Sequence, residues 1–172
     1  EIYTATCPAA SRGAQMIRET SIFSAMGERL VENQTAWIMI NPQNGSILKP
    51  REFHHELPLL ENWQPFFEPQ KIKIPLSEKY QGERKVCLSD LDRNFHMNNT
   101  IYASILTDCF AEEVLGGELD TLFIKYKNQA KLNHVLSLHG EKTENQYILT
   151  AADGDNMCFQ GMFTLRNNKN KV

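Results

Sequence analysis

One stretch constrains this chain more than any other: Asp90-Leu91-Asp92-Arg93-Asn94-Phe95-His96-Met97-Asn98-Asn99, with a helical pattern directly after it. It concentrates two carboxylates, three carboxamides and one imidazole in ten residues. Asp92, Asn94 and His96 stand at i, i+2 and i+4, so in extended chain all three project to one side. From Thr100 to Leu115 the apolar positions Ile101, Ile105, Cys109 and, after a phase slip, Val114 predict an amphipathic helix, with Gly116-Gly117 as its stop. An imidazole and a carboxamide are thereby held at the mouth of a helix, where free amides and the positive dipole end favour a developing oxyanion.

Simpler chemistry explains part of the same pattern. Asn and Asp before a helix are commonly caps, and one of Asn98, Asn99 or Thr100 is expected to be one. Asp90-x-Asp92-x-Asn94 also resembles the start of a calcium loop. That reading fails, because position six is Phe95 instead of glycine and position twelve is Ile101 instead of glutamate. A metal site would need a second cluster of ligands, and the sequence offers none. From spacing alone, a capped helix entrance accounts for these residues almost as well as a reactive site does.

Composition narrows the class. The 172 residues, 41% hydrophobic and 23% charged, describe an ordinary globular chain of one domain or two small ones. A net charge of -3 argues against a general nucleic-acid binder. No apolar run reaches membrane-spanning length, and no signal-peptide pattern opens the chain. Cys7, Cys87, Cys109 and Cys158 lack zinc-like spacing and are too sparse for a disulfide scaffold, so free thiols in a reducing cytoplasm are expected.

Asp90-Leu91-Asp92-x-Asn94-x-His96-x-Asn98-Asn99 followed by x-x-Tyr102 resembles the signature of the acyl-acyl carrier protein thioesterases of the plant and bacterial fatty-acid type. The likeness extends downstream to Ile124-Lys125-Tyr126-Lys127 and Val135-Leu136-Ser137-Leu138, similar to the strand pair after the family's helix. Upstream, Arg18-Glu19, Gly27-Glu28, the Trp37 strand and Lys49-Pro50 resemble the closing strands of the family's first domain. The resemblance implies an α+β double hotdog: two tandem modules, each an antiparallel sheet wrapped around one long helix. It also implies hydrolysis of the thioester between a fatty acyl group and the phosphopantetheine arm of an acyl carrier protein, with no cofactor and no metal.

By that resemblance the catalytic residues are Asp92, Asn94 and His96, and Asn98, Asn99 and Gln129 contact the substrate. Asn94 and the amides of the helix N-terminus would orient the thioester, while His96 moves a proton or positions water, oriented by Asp92 or a neighbouring amide. No serine or cysteine nucleophile is required. One position departs from the family: Gln129 stands where a catalytic Glu is usual, followed by Ala130 where the plant enzymes have Cys. A carboxamide holds and orients water but does not accept its proton near neutral pH. Losing one member of an acid-base set typically costs on the order of a hundred- to ten-thousand-fold.

Along the chain, strands are expected over Met16 to Phe23, Glu28 to Ile40, near Arg84 to Leu88, Leu119 to Asn128, Val135 to Glu144, Gln146 to Ala152 and Met157 to Leu165. Turns are expected at Ala25-Met26-Gly27, 41–45 and Asp153-Gly154-Asp155. Between His54 and Pro75 the periodicity fades and Pro58, Pro65, Pro69 and Pro75 interrupt it; Trp63, Phe66 and Phe67 are expected to be buried there and His54-His55 to lie at the surface. The domain reading is therefore residues 1–55 as the later part of a first module, 56–78 as linker and 79–172 as a second module, with a polar frayed end from Asn167. Nothing ahead of Glu1 supplies the first module's helix, so the resemblance implies that this module is incomplete at its N-terminus. Its bare sheet face would need a cover, from another segment or from a second copy in a homodimer.

Two other readings stay open. A hotdog protein that binds acyl ligands without chemistry is favoured by Gln129. A hotdog thioesterase acting on acyl-coenzyme A differs in the thiol carrier and not in fold. Lys125, Lys127 and Lys131 are a candidate contact for an acidic carrier protein, against the plainer reading of a solvated strand face.

Overall fold

The computed structural model describes residues 1–52, 79–144 and 146–166. The expectations for the proline-interrupted stretch, for Trp63, Phe66 and Phe67, for His54-His55 and for the end after Arg166 lie outside the described residues. The chain divides into two compact units, Glu1–Lys71 and Ile72–Val172.

In the first unit, β1 (Ile2–Arg12), β2 (Gln15–Ser24), β3 (Arg29–Ile40) and β4 (Ile47–Leu48) form one antiparallel sheet in the order β1-β2-β3-β4. Ile17, Thr20 and Ile22 in β2 and Val31, Thr35, Trp37, Ile38 and Ile40 in β3 suit a pleated surface. Gly27, at φ 81°, closes the β2–β3 turn by donating 2.9 Å to the Ser24 carbonyl. The register aligns Cys7 with Glu19 and Glu19 with Gln34, and Gln34 Nε2 donates 2.8 Å to Glu19 Oε1. That bond accounts for part of how a carboxylate is tolerated where Glu19, Ile17 and Ser21 are all buried. Val31, Ile38, Ile40 and Ile47 stand exposed. β1 is a strand that the sequence pattern did not announce: Pro8 and a run of alanines interrupt its alternation, and its pairing with β2 supplies what local propensity lacks.

The second unit contains β5 (Tyr80–Lys85), α1 (Asn99–Asp108), α2 (Ala111–Gly116), β6 (Glu118–Tyr126), β7 (Val135–Lys142), β8 (Tyr147–Asp153) and β9 (Asn156–Arg166). Its sheet runs β5-β7-β8-β9-β6, antiparallel at every pairing. Tyr102, Ile105 and Leu106 of α1 pack into a core with Leu136, Leu149, Phe159 and Phe163. This is the hotdog arrangement, a helix held against one face of an antiparallel sheet; the first unit supplies the sheet of the other module in the tandem pair, with no α-helix among its described residues.

The helix differs from its expected outline in two ways. It is interrupted at Cys109-Phe110, because Phe110 turns its ring into the core edge-on to Tyr147 (5.3 Å) and Phe163 (5.8 Å), which stack at 4.6 Å. The buried stripe also shifts: Tyr102 and Leu106 are buried with Ile105, whereas Ile101 and Cys109 are only partly covered. The helix ends at Gly116, whose successor Gly117 donates 3.4 Å to Val114, as the glycine pair implied. Among the described residues no helix is long and apolar enough to cross a membrane.

Candidate active site

The motif does not run as an extended chain. After a 3-10 turn at Leu88–Asp90, Asp92 to His96 fold into a tight turn: Phe95 donates 3.1 Å to the Asp92 carbonyl, and the Asp92 amide donates 2.8 Å to the His96 carbonyl. The Asp92 carboxylate accepts the amides of Asn94 (2.8 Å) and His96 (3.4 Å), the arrangement that makes Asp a turn former. Its recorded bonds therefore fix the backbone of Asn94 and His96 instead of the imidazole. The alternation argument for one shared side is replaced by a turn that brings the same three side chains to one cleft.

Neighbouring contacts hold that turn in place. Leu91 and His96 form isolated bridges to Met97 and Lys131, and Met97 donates 2.8 Å to Ala130. Buried Asp90 takes both its oxygens to Arg84 Nη2, at 2.9 and 3.0 Å, and one of them also accepts the Cys87 amide at 2.7 Å. The Asp90 carbonyl accepts the Asn98 amide at 2.8 Å, so this residue ties β5 to the start of α1.

Asn98 is the helix cap. Its side-chain oxygen accepts from the Thr100 amide and hydroxyl, both at 3.0 Å, and its carbonyl accepts the Ile101 amide at 2.9 Å. Two first-turn amides that could have faced a ligand are thus already bonded. Tyr126 of β6 donates 3.2 Å from its hydroxyl to the Asn99 carbonyl and lies edge-on to Tyr102 at 5.4 Å.

An open cleft of about 210 Å³ results, lined by Asp92, Asn94, His96, Asn99 and Gln129 together with Met97, Tyr102, Tyr126, Lys127 and Asn128. Asn98 is absent from that lining. The volume is below the roughly 300 Å³ of a complete small-molecule pocket, and suits the reacting end of a substrate better than a long chain. Tyr126, Lys127 and Asn128 were not singled out as site residues, although they run directly into Gln129. Asn128 is held by its side-chain amide, which donates 2.7 Å to the Met157 carbonyl. Burial pushes the Tyr102 and Tyr126 phenols above the ordinary value; at Tyr102 the Ala130 amide, donating 3.4 Å to its oxygen, acts in the opposite direction. Among the described residues no group of His, Cys, Asp and Glu side chains is placed to hold a metal ion.

Residues 74–166 match the family model of the acyl-ACP thioesterase C-terminal domain, more than half of the chain. The structure is similar to that of an acyl-ACP thioesterase from Bacteroides thetaiotaomicron, at TM-score 0.82 and 17% identity over 96% of this chain and 68% of that one. It is similar also to the 12:0-ACP thioesterase from Umbellularia californica, at TM-score 0.73 and 16% identity over 96% of this chain and 67% of that one. No curated protein matches the chain by sequence. At such identities the structural likeness speaks for the double-hotdog fold, and the family model speaks for membership. The chain belongs to the acyl-ACP thioesterase family.

Proposed function

We propose that this protein hydrolyses the thioester of fatty acyl-acyl carrier protein, releasing free fatty acid and the carrier thiol. Family membership supports the thioesterase chemistry; the acyl carrier protein as the thiol that carries the acyl group, and a cytoplasmic setting, are the finer reading. All four cysteines are free, which suits a reducing compartment. The observation that carries the proposal is the convergence of Asp92, Asn94, His96 and Gln129 on one cleft beside the start of α1.

Thiolate is a good leaving group, so the demands are to deliver water and to stabilise the tetrahedral oxyanion. The Asn94 carboxamide donates to the thioester oxygen as negative charge develops there. Gln129 holds a water against the carbonyl carbon, and His96 accepts a proton from it as the new C–O bond forms. The C–S bond then breaks, and the imidazolium returns that proton to the departing sulfur, so water has supplied one oxygen to the acid and one hydrogen to the thiol. Asp92 acts by keeping Asn94 and His96 in their turn. Asn99 and Lys127, which share the cleft, contact the polar part of the substrate.

Gln129 favours one alternative, acyl binding without turnover, because it lacks the basicity of a carboxylate. The separating experiment measures hydrolysis of dodecanoyl thioesters of acyl carrier protein and of coenzyme A by the wild-type protein and by His96→Ala and Asn94→Ala. Turnover of the carrier-linked thioester that drops by about a hundredfold or more in each variant is the expected result. Equal rates for wild type and His96→Ala would remove His96 from the mechanism. Tight acyl binding with no turnover would favour the alternative.

A further inference from the structure

Phe95 is the residue that the site's own geometry leaves unexplained. Its φ is 60°, in the left-handed region that a bulky aromatic rarely adopts. Among the described residues the only other non-glycine at positive φ is Asn133, a type that tolerates this conformation well. The Phe95 ring gains little from internal packing, since the residue is 75% exposed. A strained, solvated phenylalanine therefore sits between Asn94 and His96, both of which line the cleft. Glycine or asparagine would make the same turn without strain, so the turn itself does not call for an aromatic ring.

The surroundings of Phe95 describe what it would meet. An isolated bridge pairs His96, the residue after Phe95, with Lys131, and Leu132, next in the chain after Lys131, is 44% exposed. Arg93, on the same turn, and Lys131 are exposed and belong to no ion pair recorded among the described residues. Lys127 on the cleft wall adds a third cation. A chain of net charge -3 thus carries three cations and two exposed apolar side chains on the turn that lines the cleft and on the segment bridged to it, with Asp92 as the one carboxylate of that turn. An apolar anchor ringed by bases fits an acidic protein surface with an apolar spot. We infer that Phe95, with Leu132, Arg93 and Lys131, is the surface on which the acidic acyl carrier protein docks to deliver its tethered thioester. The inference rests on the thioesterase reading above: an acyl group on a short flexible arm can enter the cleft only if its carrier sits at the rim.

Direct binding tests this without requiring turnover. The probe is acyl carrier protein bearing a dodecanoyl group through a non-hydrolysable amide in place of the thioester, and the dissociation constant is read by fluorescence anisotropy. Phe95→Asn, which keeps the backbone conformation, should weaken binding by about tenfold or more, as truncation of an aromatic anchor does, whereas Phe95→Tyr should stay within about threefold of wild type. Lys131→Glu should weaken binding too, and the loss should shrink as salt is raised. Phe95→Asn should melt at or above the wild-type temperature, because it relieves backbone strain. On substrates, the loss for the carrier-linked thioester should exceed the loss for a small-thiol thioester by about tenfold, since only the former presents a docking surface.

Wild-type affinity in a folded Phe95→Asn variant would overturn the proposal. So would a homodimer in solution that Phe95→Asn dissolves while carrier affinity is unchanged, because the surface would then belong to a second copy of the chain. If the wild-type protein binds the probe through Phe95 but hydrolyses no thioester, the docking surface stands and the catalytic reading falls. If it hydrolyses the carrier thioester and Phe95→Asn binds and turns over like wild type, the docking surface alone falls.

Discussion

Gly161 of β9 lies directly beneath Leu106 of α1: a Cβ at position 161 would be 2.6 Å from Leu106 Cδ2. The helix that carries the mouth of the cleft therefore rests on the sheet through a glycine. Leu106 is fully buried and has little room to yield. Gly161→Ala is expected to destabilise the second module by about 1–3 kcal/mol through overpacking. Combining it with Leu106→Ala, which alone should cost about 2–5 kcal/mol, should give less than the sum. Urea unfolding of the two single variants and the double variant checks this, and strict additivity would show that the two positions do not press on each other.

The Arg84–Asp90 pair is a second support, placed where the motif loop leaves β5. Asp90 is buried and serves Arg84, the Cys87 amide and, through its carbonyl, the Asn98 amide. Removing one member of a buried ion pair costs about 3–5 kcal/mol when both are enclosed. Arg84 is about one-third exposed, so Asp90→Ala should cost less, about 2 kcal/mol, and Asp90→Asn less again because it still accepts the Cys87 amide. Both variants should also lose turnover, since the Asn98 cap and the Asp92 turn hang from this point. A melting temperature unchanged in Asp90→Ala would mean the pair holds nothing.

The two phenols of the cleft tie stability to alkaline pH. Burial raises the Tyr102 and Tyr126 pKa values above 10.0, so the folded state keeps protons that the unfolded chain gives up. The sign follows: this contribution is fully present below the unfolded value and is lost as pH rises through the folded values. Buried Cys158 and half-buried Cys109, raised from 9.0 by burial, act in the same direction. Unfolding measured from about pH 9 to about pH 11 should therefore show wild type losing stability more steeply than Tyr126→Phe and Tyr102→Phe. Parallel profiles would mean these phenols are not desolvated in solution.

Local chemistry was legible in the sequence, and long-range geometry was not. The helix start, its Asn98 cap and its Gly116-Gly117 stop follow from residues a few positions apart. The strands from Leu119 onward followed from alternation and β-branched content. The turn at Asp92 to His96 was misread as extended because nothing local demands a left-handed conformation of Phe95. β1 was missed because its strand character comes from pairing with β2. The helix break was hinted at only by a phase slip, since its cause is the packing of Phe110 against Tyr147 and Phe163, distant in sequence. Gln129 follows from resemblance alone, and the loop that carries it meets the motif through the Met97–Ala130 hydrogen bond and the His96–Lys131 bridge.

Gln129→Glu tests what the departure at that position does. Gln129 is exposed on the wall of an open cleft, so a carboxylate there stays hydrated and should leave folding intact. If the side chain faces the thioester water, Glu accepts a proton that Gln cannot, and hydrolysis should rise by roughly tenfold or more, toward the full worth of a general base. Only the ionised carboxylate is a base, so the gain should appear as pH rises through the new carboxyl's pKa. Lys127, in the same cleft, favours the ionised form and moves that rise toward acid pH. Lys127→Met in the Gln129→Glu background should therefore shift the rise back to higher pH. An acyl-binding protein without chemistry would gain no turnover from either change. A rate unchanged in a fully folded Gln129→Glu protein, beside a wild type that hydrolyses its substrate, would mean that Gln129 does not face the attacking water and that His96 alone supplies the base.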